Sequence, residues 1–328
     1  MPEPTTPPGA PTRIRREVER RLFAAAEVAW CAAGGGMSDA LVWRVCDGHR
    51  AYAVRRWPAE MAEARLGWIT QTLAELFHRG CDFVAVPLPG QGAERWPLRD
   101  PDGASWEASP WLEGAPLGAK PSQQELKAAI GGLAALHRAA RGLQAPRGAP
   151  VWSVAQRIDR LREIAAGEDP SEAADLSNAP PGLAGVVATA RRAAAATAQR
   201  LLRYREQESP TVIVHGDARP DHFLLRDGRL SGVVDFGAMR VDLAEADVAR
   251  LAGELAAGDR RLRDLVVDLY AAAAGPIDRQ LVAALDQANA VIAADNWRKW
   301  LAGRDRGGWD QAAVTERLRS IAMRLPAE

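Results

Sequence analysis

Two aspartates carry the chemistry in this chain. Asp217 and Asp235 each follow a short apolar run inside VIVHGDARPDHFLLRDGRLSGVVDFG (212–237). Between them, the turn pair Asp227-Gly228 is flanked by HFLL and LSGVV, which predicts a β-hairpin with both carboxylates at its base. Carboxylates held close repel unless a proton or a cation lies between them. A divalent metal meets that need, and phosphoryl transfer is the reaction that uses one in this way.

Phosphoryl transfer asks for further parts: a loop over the phosphates, a cation on them, and a group that orients the attacking hydroxyl. The first third of the chain offers two. Gly34-Gly35-Gly36-Met37-Ser38 precedes a strand-like segment, where backbone amides could approach phosphate, and Arg55 lies on the next strand. Glycine loop, cationic strand, hinge-like segment, catalytic Asp and metal Asp then follow one another in the order of the kinase signatures. Hydrolase or lyase chemistry would need a nucleophile or water-activating partner that the pattern does not supply.

The HGD…P…DFG motif of 215–237, LAALHRAA (133–140) and WEASPWLEG (106–114) resemble the aminoglycoside phosphotransferase/choline kinase family over about residues 20–305. The resemblance implies a two-lobed, protein-kinase-like α+β fold and transfer of the ATP γ-phosphate to a hydroxyl of a small molecule, with Mg²⁺. It implies Asp217 as catalytic base or hydroxyl orienter and Asp235 as a Mg²⁺ ligand. It also implies Gly35, Gly36 and Ser38 over the phosphates, Arg55 on the α- and β-phosphates, and Pro110-Trp111-Leu112 as the hinge that reads adenine. Asp247, in DVARL, matches an aspartate that steadies the catalytic loop. C-terminal helices help to bind the acceptor in the family, which brings in Asp295, Asn296 and Trp297.

The chain departs from the family pattern at three places. His222 stands where the family has a metal-binding Asn; a nitrogen donor there would weaken Mg²⁺ binding or shift preference toward Mn²⁺. Arg55 replaces the usual Lys, keeping the charge and adding a bidentate fork. Asp39 stands where an Asn often follows the loop Ser. The helix glutamate expected to pair with Arg55 is either Glu63 or Glu75. Because of His222, a second class of function stays open: a pseudokinase-like protein that binds a nucleotide or a partner without turnover. Among the other groups, His215 reads as a backbone-orienting residue and His137 as a helix contact. Trp297 and Trp300 share a helix face, suited to core packing or to the wall of an acceptor cleft.

The elements that must position these residues fall into two regions. Residues 1–12 hold five prolines and are expected to be disordered. A helix is predicted over 13–30, with Val18, Leu22 and Ala25 at helical spacing. Residues 34–112 read as a small antiparallel sheet carrying one helix (60–79). LVWRV and AYAVRRW form a hairpin there, with three more short strands from FVAVPLP to SWEASPWLEG. Composition shifts near 112–120, giving a nucleotide-covering lobe over 13–112 and a helical lobe over 113–328. Helices are predicted at 122–141, 152–166, 182–206, 243–257, 260–274, 278–302 and 309–323, interrupted only by the strands of 211–236.

Bulk properties bound the partners. In 328 residues, Lys+Arg and Asp+Glu both number 42, so no net field recruits nucleic acid or an anionic membrane. Three cysteines at irregular spacing fit no zinc motif and no disulfide framework. No signal-like N-terminus and no apolar run long enough to span a bilayer is present. The expected setting is cytoplasmic, with a small-molecule hydroxyl compound as partner.

Overall fold

The structure is a computed structural model that describes residues 10–23, 27–33, 40–89, 96–167, 180–206, 210–302 and 311–325. The chain divides into two compact units, 1–115 with 231–234, and 116–230 with 235–328.

The first unit is built on a five-stranded antiparallel sheet. Its strands are β1 (Ala29–Ala32), β2 (Leu41–Cys46), β3 (Ala51–Arg56), β4 (Leu98–Arg99) and β5 (Ser105–Pro110), in the order β1-β2-β3-β5-β4. The β2–β3 hairpin turns on Asp47-Gly48. Asp47 Oδ1 accepts the amides of His49 and Arg50 at 2.9 and 2.7 Å, and Gly48 takes φ 88°. Two helices accompany the sheet, α1 (Thr12–Leu22) and α2 (Glu63–His78). Ile14, Val18 and Leu22 of α1 join Trp30, Trp43, Val45, Val54 and Trp106 in one core. Trp43 stacks on Trp106 at 5.1 Å, and Trp30 meets Trp43 edge-on at 6.2 Å. Three of the eleven tryptophans are therefore sheet packing.

Two expectations about this unit are corrected. The helix predicted over 13–30 ends at Leu22, and Ala29–Ala32 is a strand paired with β2. Burying Trp30 against Trp43 in the sheet is a tertiary contact that outweighs local helical spacing. FVAVPLP forms no strand; it gives one isolated bridge, Val84 to Val233, and one amide bond from Leu88 to Ala108. Pro87 and Pro89 have no amide hydrogen to extend that ladder. The glycine loop, Gly34 to Ser38 with Asp39, lies outside the described residues, as do Ala25 and most of the N-terminal proline-rich segment.

The second unit is mainly helical: α3 (Gln123–Ala140), α4 (Val154–Ala166), α5 (Leu183–Leu201), α6 (Ala244–Ala256), α7 (Arg260–Ala274), α8 (Arg279–Ala302) and α9 (Gln311–Arg324). Helix starts carry the sequence signals that specify them. Ser122/Glu125 and Ser153/Gln156 close capping boxes on α3 and α4, and Asp259 caps α7. Helix α8 runs through the core, with Leu281, Val282, Leu285, Ala288, Val291 and Ala294 buried. Its neighbour α5 approaches it with Ala190, Ala194 and Ala198 on the buried face, small enough for close packing. No described helix is long and apolar enough to cross a membrane.

Short strands interrupt the helices where the chemistry was expected. β7 (Thr211–Val214) pairs antiparallel with β10 (Arg240–Leu243), a strand absent from the sequence reading because it runs directly into α6. β6 (Ala115–Pro116), β8 (Phe223–Arg226) and β9 (Arg229–Val233) form a small sheet. The β8–β9 turn places Asp227 and Gly228 at φ 51° and 71°, the left-handed pair of a tight hairpin.

Candidate active site

The loop after β7 is fixed before the predicted catalytic side chain, Asp217, is reached. Asp247, fully buried in the first turn of α6, accepts the amides of His215 at 2.8 Å and Gly216 at 2.9 Å. His137 on α3 donates Nε2–H to the same carboxylate at 3.1 Å and takes the Tyr270 hydroxyl of α7 on Nδ1 at 2.7 Å. Burial opposes the Asp247 charge, but the hydrogen bond and field of His137 keep its pKa below the usual range. The predicted steadying role of Asp247 thus has its geometry, and His137 acts beneath it.

Gly216 is required by two facts. Its φ is +87°, and a Cβ there would lie 2.0 Å from the carbonyl oxygen of Ala238. Its own carbonyl accepts Arg240 Nη1 at 2.6 Å, and Arg240 is held in turn by Asp242 at 2.9 Å. Arg157 forms a two-pronged pair with that same buried Asp242.

Asp217 emerges from this braced loop with its carboxylate between two guanidiniums. Arg250 Nε donates to Oδ1 at 3.0 Å, and Arg219 Nη1 lies 3.9 Å from Oδ2. Burial would raise its pKa; Arg250 first and Arg219 next outweigh it and hold the group far below the usual carboxylate range. Asp217 is therefore ionised throughout the neutral range and is a weak proton acceptor.

A short 3-10 turn, Pro220–His222, links the loop to β8. The buried His222 ring stacks on His215 at 5.5 Å, and His215 packs on Phe236 at 4.6 Å. His222 Nδ1 is 2.8 Å from the Asp217 carbonyl, an acceptor, so Nδ1 carries the hydrogen and Nε2 the lone pair. Nε2 lies 3.6 Å from Asp235 Oδ2. Burial first, then His215 and Arg219, push the His222 pKa down, which favours the neutral ring. Asp235 itself adopts φ 65°, a left-handed conformation uncommon outside glycine and one that functional sites retain. In this neutral tautomer its carboxylate and the His222 Nε2 are two metal-type donors 3.6 Å apart. They fit a small divalent cation that completes its shell with phosphate oxygens and water. Among the described residues no group of three or more His, Cys, Asp or Glu could hold a metal, so these residues alone offer no full cage.

The other predicted residues are placed as follows. Arg55 on β3 pairs in register with Glu107 on β5, and its guanidinium lies 4.7 Å from the Trp57 ring. Burial pushes Glu107 up and Arg55 opposes this. Glu63 instead pairs with Arg99 at 3.4 Å, and Glu75 is exposed. The carboxylate opposite Arg55 is thus on a strand, and only the register of β5 reveals it. Pro110 ends β5; Trp111 follows it, donating its amide to Ala51 at 3.0 Å beneath the Arg44 guanidinium, and Leu112 is half-buried. Asp295 is buried on α8 with Arg160, Arg298 and Lys299 around its carboxylate. Trp297 is buried edge-on to Trp300 at 5.2 Å, while Asn296 is exposed.

Sequence reasoning missed the ions around Asp217. Arg250 is one helical turn after Asp247 on α6, so one helix presents an acid to the loop backbone and a base to the loop side chain. That spacing in DVAR was the available signal.

The family model described as the phosphotransferase enzyme family matches residues 29–286. None of the curated proteins matches the chain by sequence. Among solved structures, an aminoglycoside phosphotransferase from Alicyclobacillus acidocaldarius is 17% identical with a TM-score of 0.61, covering 98% of this chain and 96% of that one. Choline kinase from Streptococcus pneumoniae is 13% identical, TM-score 0.63, covering 95% and 98%. An amicoumacin kinase in complex with AMP-PNP and Ca²⁺ is 12% identical, TM-score 0.62, covering 96% and 93%. These likenesses show the fold, and with the family match over most of the sequence the chain belongs to the phosphotransferase enzyme family with its protein-kinase-like fold.

Proposed function

We propose that this protein transfers the γ-phosphoryl group of ATP to a hydroxyl of a small molecule. The observation that carries the reading is the His222 bridge, one ring nitrogen on the Asp217 carbonyl and the other facing Asp235. It ties the loop that carries Asp217 to the Asp235 carboxylate through one side chain. The complex of amicoumacin kinase with AMP-PNP and Ca²⁺ is consistent with this cofactor class.

In the reaction, the acceptor oxygen bonds to the γ-phosphorus, and the bond to the β,γ-bridging oxygen breaks. ADP leaves with that electron pair. Asp217 accepts a hydrogen bond from the hydroxyl and aims it; being a weak base, it takes the proton late, once the oxygen is largely bonded to phosphorus. Asp235 and His222 would hold Mg²⁺, or Mn²⁺, which supplies charge neutralisation on the phosphates when bound. Arg55 would hold the α- and β-phosphates, with Glu107 keeping its guanidinium aligned. Gly35, Gly36 and Ser38 would cover the phosphates, and Trp111 and Leu112 would read adenine with their backbone.

Retention of both carboxylates, Asp217 and Asp235, together with the Arg55 cation and the glycine loop, favours turnover over a binding-only role. The test is ADP formation from ATP and Mg²⁺ or Mn²⁺ across sugars, polyols, amino alcohols and aminoglycosides. Acceptor-dependent ADP release that Asp217→Asn abolishes is the expected result; release undiminished in that variant overturns the reading.

A further inference from the structure

The backbone of Asp217 is fixed on both sides of its Cα. Its amide donates to His215 Nδ1 at 3.2 Å, and its carbonyl accepts His222 Nδ1–H at 2.8 Å. The direction of the carboxylate is then set by two side-chain torsions. Arg250 of α6 is the group that holds them. Its Nε donates to Oδ1 at 3.0 Å, a charge-assisted hydrogen bond. Arg219 Nη1 lies 3.9 Å from Oδ2, beyond hydrogen-bond reach, and Arg219 directs its Nε and Nη2 to Asp221. One oxygen of Asp217 is thus clamped from the helix, while the side chain keeps 30% of its surface open.

Arg250 is itself held from behind. Its Nη1 reaches Glu254 at 3.1 Å, one turn further along α6. Arg before Glu at this spacing is the weaker order for an isolated helix, so helix stability is a poor account of the pair. Glu254 also takes Arg317 and Arg324 of α9, and its side chain is only 4% exposed. The series Asp217, Arg250, Glu254, α9 runs from an open carboxylate to a buried one, each member placed by the next. A guanidinium presents its donors in a rigid fork, so Arg250 holds both acids in one geometry. An ammonium concentrates its donors at one point.

We propose that Arg250 is the positioning residue for Asp217 and that Glu254 holds Arg250 for this task. Oδ2, the oxygen that Arg250 leaves clear, takes the hydrogen of the acceptor hydroxyl. This rests on the phosphotransferase reading and names the residues that aim its hydroxyl-orienting group. Aim matters because a misplacement of about 1 Å lowers a rate by about a hundredfold.

The experiment is a double-mutant cycle in kcat on the full chain, with the acceptor of highest kcat/KM in the ADP-release assay. Arg250→Met should lower kcat by about a hundredfold, while acceptor KM and AMP-PNP affinity stay within about threefold. Arg250→Lys keeps the charge without the fork and should stay at least about tenfold below the parent. Glu254→Gln should lower kcat by about tenfold in the parent and not at all in Arg250→Met, because both act through one contact. Each variant is assayed below its melting temperature. Where Arg250→Met or Glu254→Gln does not fold, Arg250→Gln or Glu254→Asp takes its place with the same expectation. Full activity in Arg250→Met or Arg250→Lys overturns the proposal, as does a loss that falls on KM or on AMP-PNP affinity. Losses that multiply in the double variant overturn the role given to Glu254. A crystal structure with AMP-PNP and the acceptor should place the acceptor hydroxyl on Oδ2; a hydroxyl on Oδ1 overturns that assignment. With no turnover for any acceptor the phosphotransferase reading fails, and crystal structures of the parent and Arg250→Met decide the positioning by themselves. Asp217 in a different rotamer in the variant supports it; Asp217 unmoved overturns it.

Discussion

In the proposed reaction Asp217 and His222 do different work although one loop holds both. Two arginines fix the Asp217 charge, so in that proposed reaction its contribution is aim rather than basicity. Asp217→Asn keeps the shape and loses the charge that orients the hydroxyl, and should lower kcat by about a thousandfold. AMP-PNP affinity, measured by calorimetry, should stay within about threefold of the parent, because the change removes a contact made to the acceptor. His222 presents a nitrogen where an oxygen donor would suit Mg²⁺ better. His222→Asn should raise Mg²⁺ affinity relative to Mn²⁺ by about tenfold. Competition of Mg²⁺ against Mn²⁺, followed by electron paramagnetic resonance of free Mn²⁺, reads this without turnover; an unchanged ratio would remove His222 from the metal site.

At the scale of elements, a loop is only as exact as the backbone that braces it. Gly216 turns through φ +87° with the Ala238 carbonyl where a Cβ would go, whereas Gly48 has φ +88° and open space around it. Gly216→Ala should therefore lower stability by about 2–4 kcal/mol in urea unfolding and abolish turnover. Gly48→Ala should cost about 1 kcal/mol with turnover kept. The hairpin behind this loop was legible in the sequence because its signals are local: apolar runs, Asp227-Gly228, and a Gly within two residues of each aspartate. The C-terminal helices were legible for the same reason, their periodicity and caps lying within their own segments. What was not legible depends on partners distant in sequence. Ala29–Ala32 is a strand because Trp30 packs on Trp43 and Trp106. Arg240–Leu243 is one because β7 lies beside it. Glu107 faces Arg55 only through the register of β5 on β3.

Over the second unit as a whole, Glu254 ties the last helix to the loop that carries Asp217. Its carboxylate, 4% exposed, takes Arg250 of its own helix and both Arg317 and Arg324 of α9. Arg324 also reaches Asp286 of α8 at 2.9 Å. Beneath them Gly253 leaves room for that contact, since a Cβ there would meet the Asp286 carboxylate at 1.9 Å. The two acids titrate in opposite senses. Burial dominates at Asp286 and pushes it up despite Arg324, while at Glu254 burial is outweighed by Arg250, Arg324 and Arg317, and its pKa falls. A carboxylate with a depressed folded pKa contributes stability that is fully present above its unfolded pKa and is lost as pH falls through the folded one. Asp286, shifted the other way, protonates first and withdraws nothing from that contribution. Glu254→Gln leaves three guanidiniums around a neutral amide and should destabilise the protein by about 3 kcal/mol at pH 7. The difference in melting temperature from the parent should stay constant down to the ordinary glutamate range and then shrink below it, as the parent's own Glu254 takes up its proton. A gap that persists unchanged to the acid limb would mean that packing, not charge, joins α9 to the site. Arg250 would then hold Asp217 without help from the C-terminal helix.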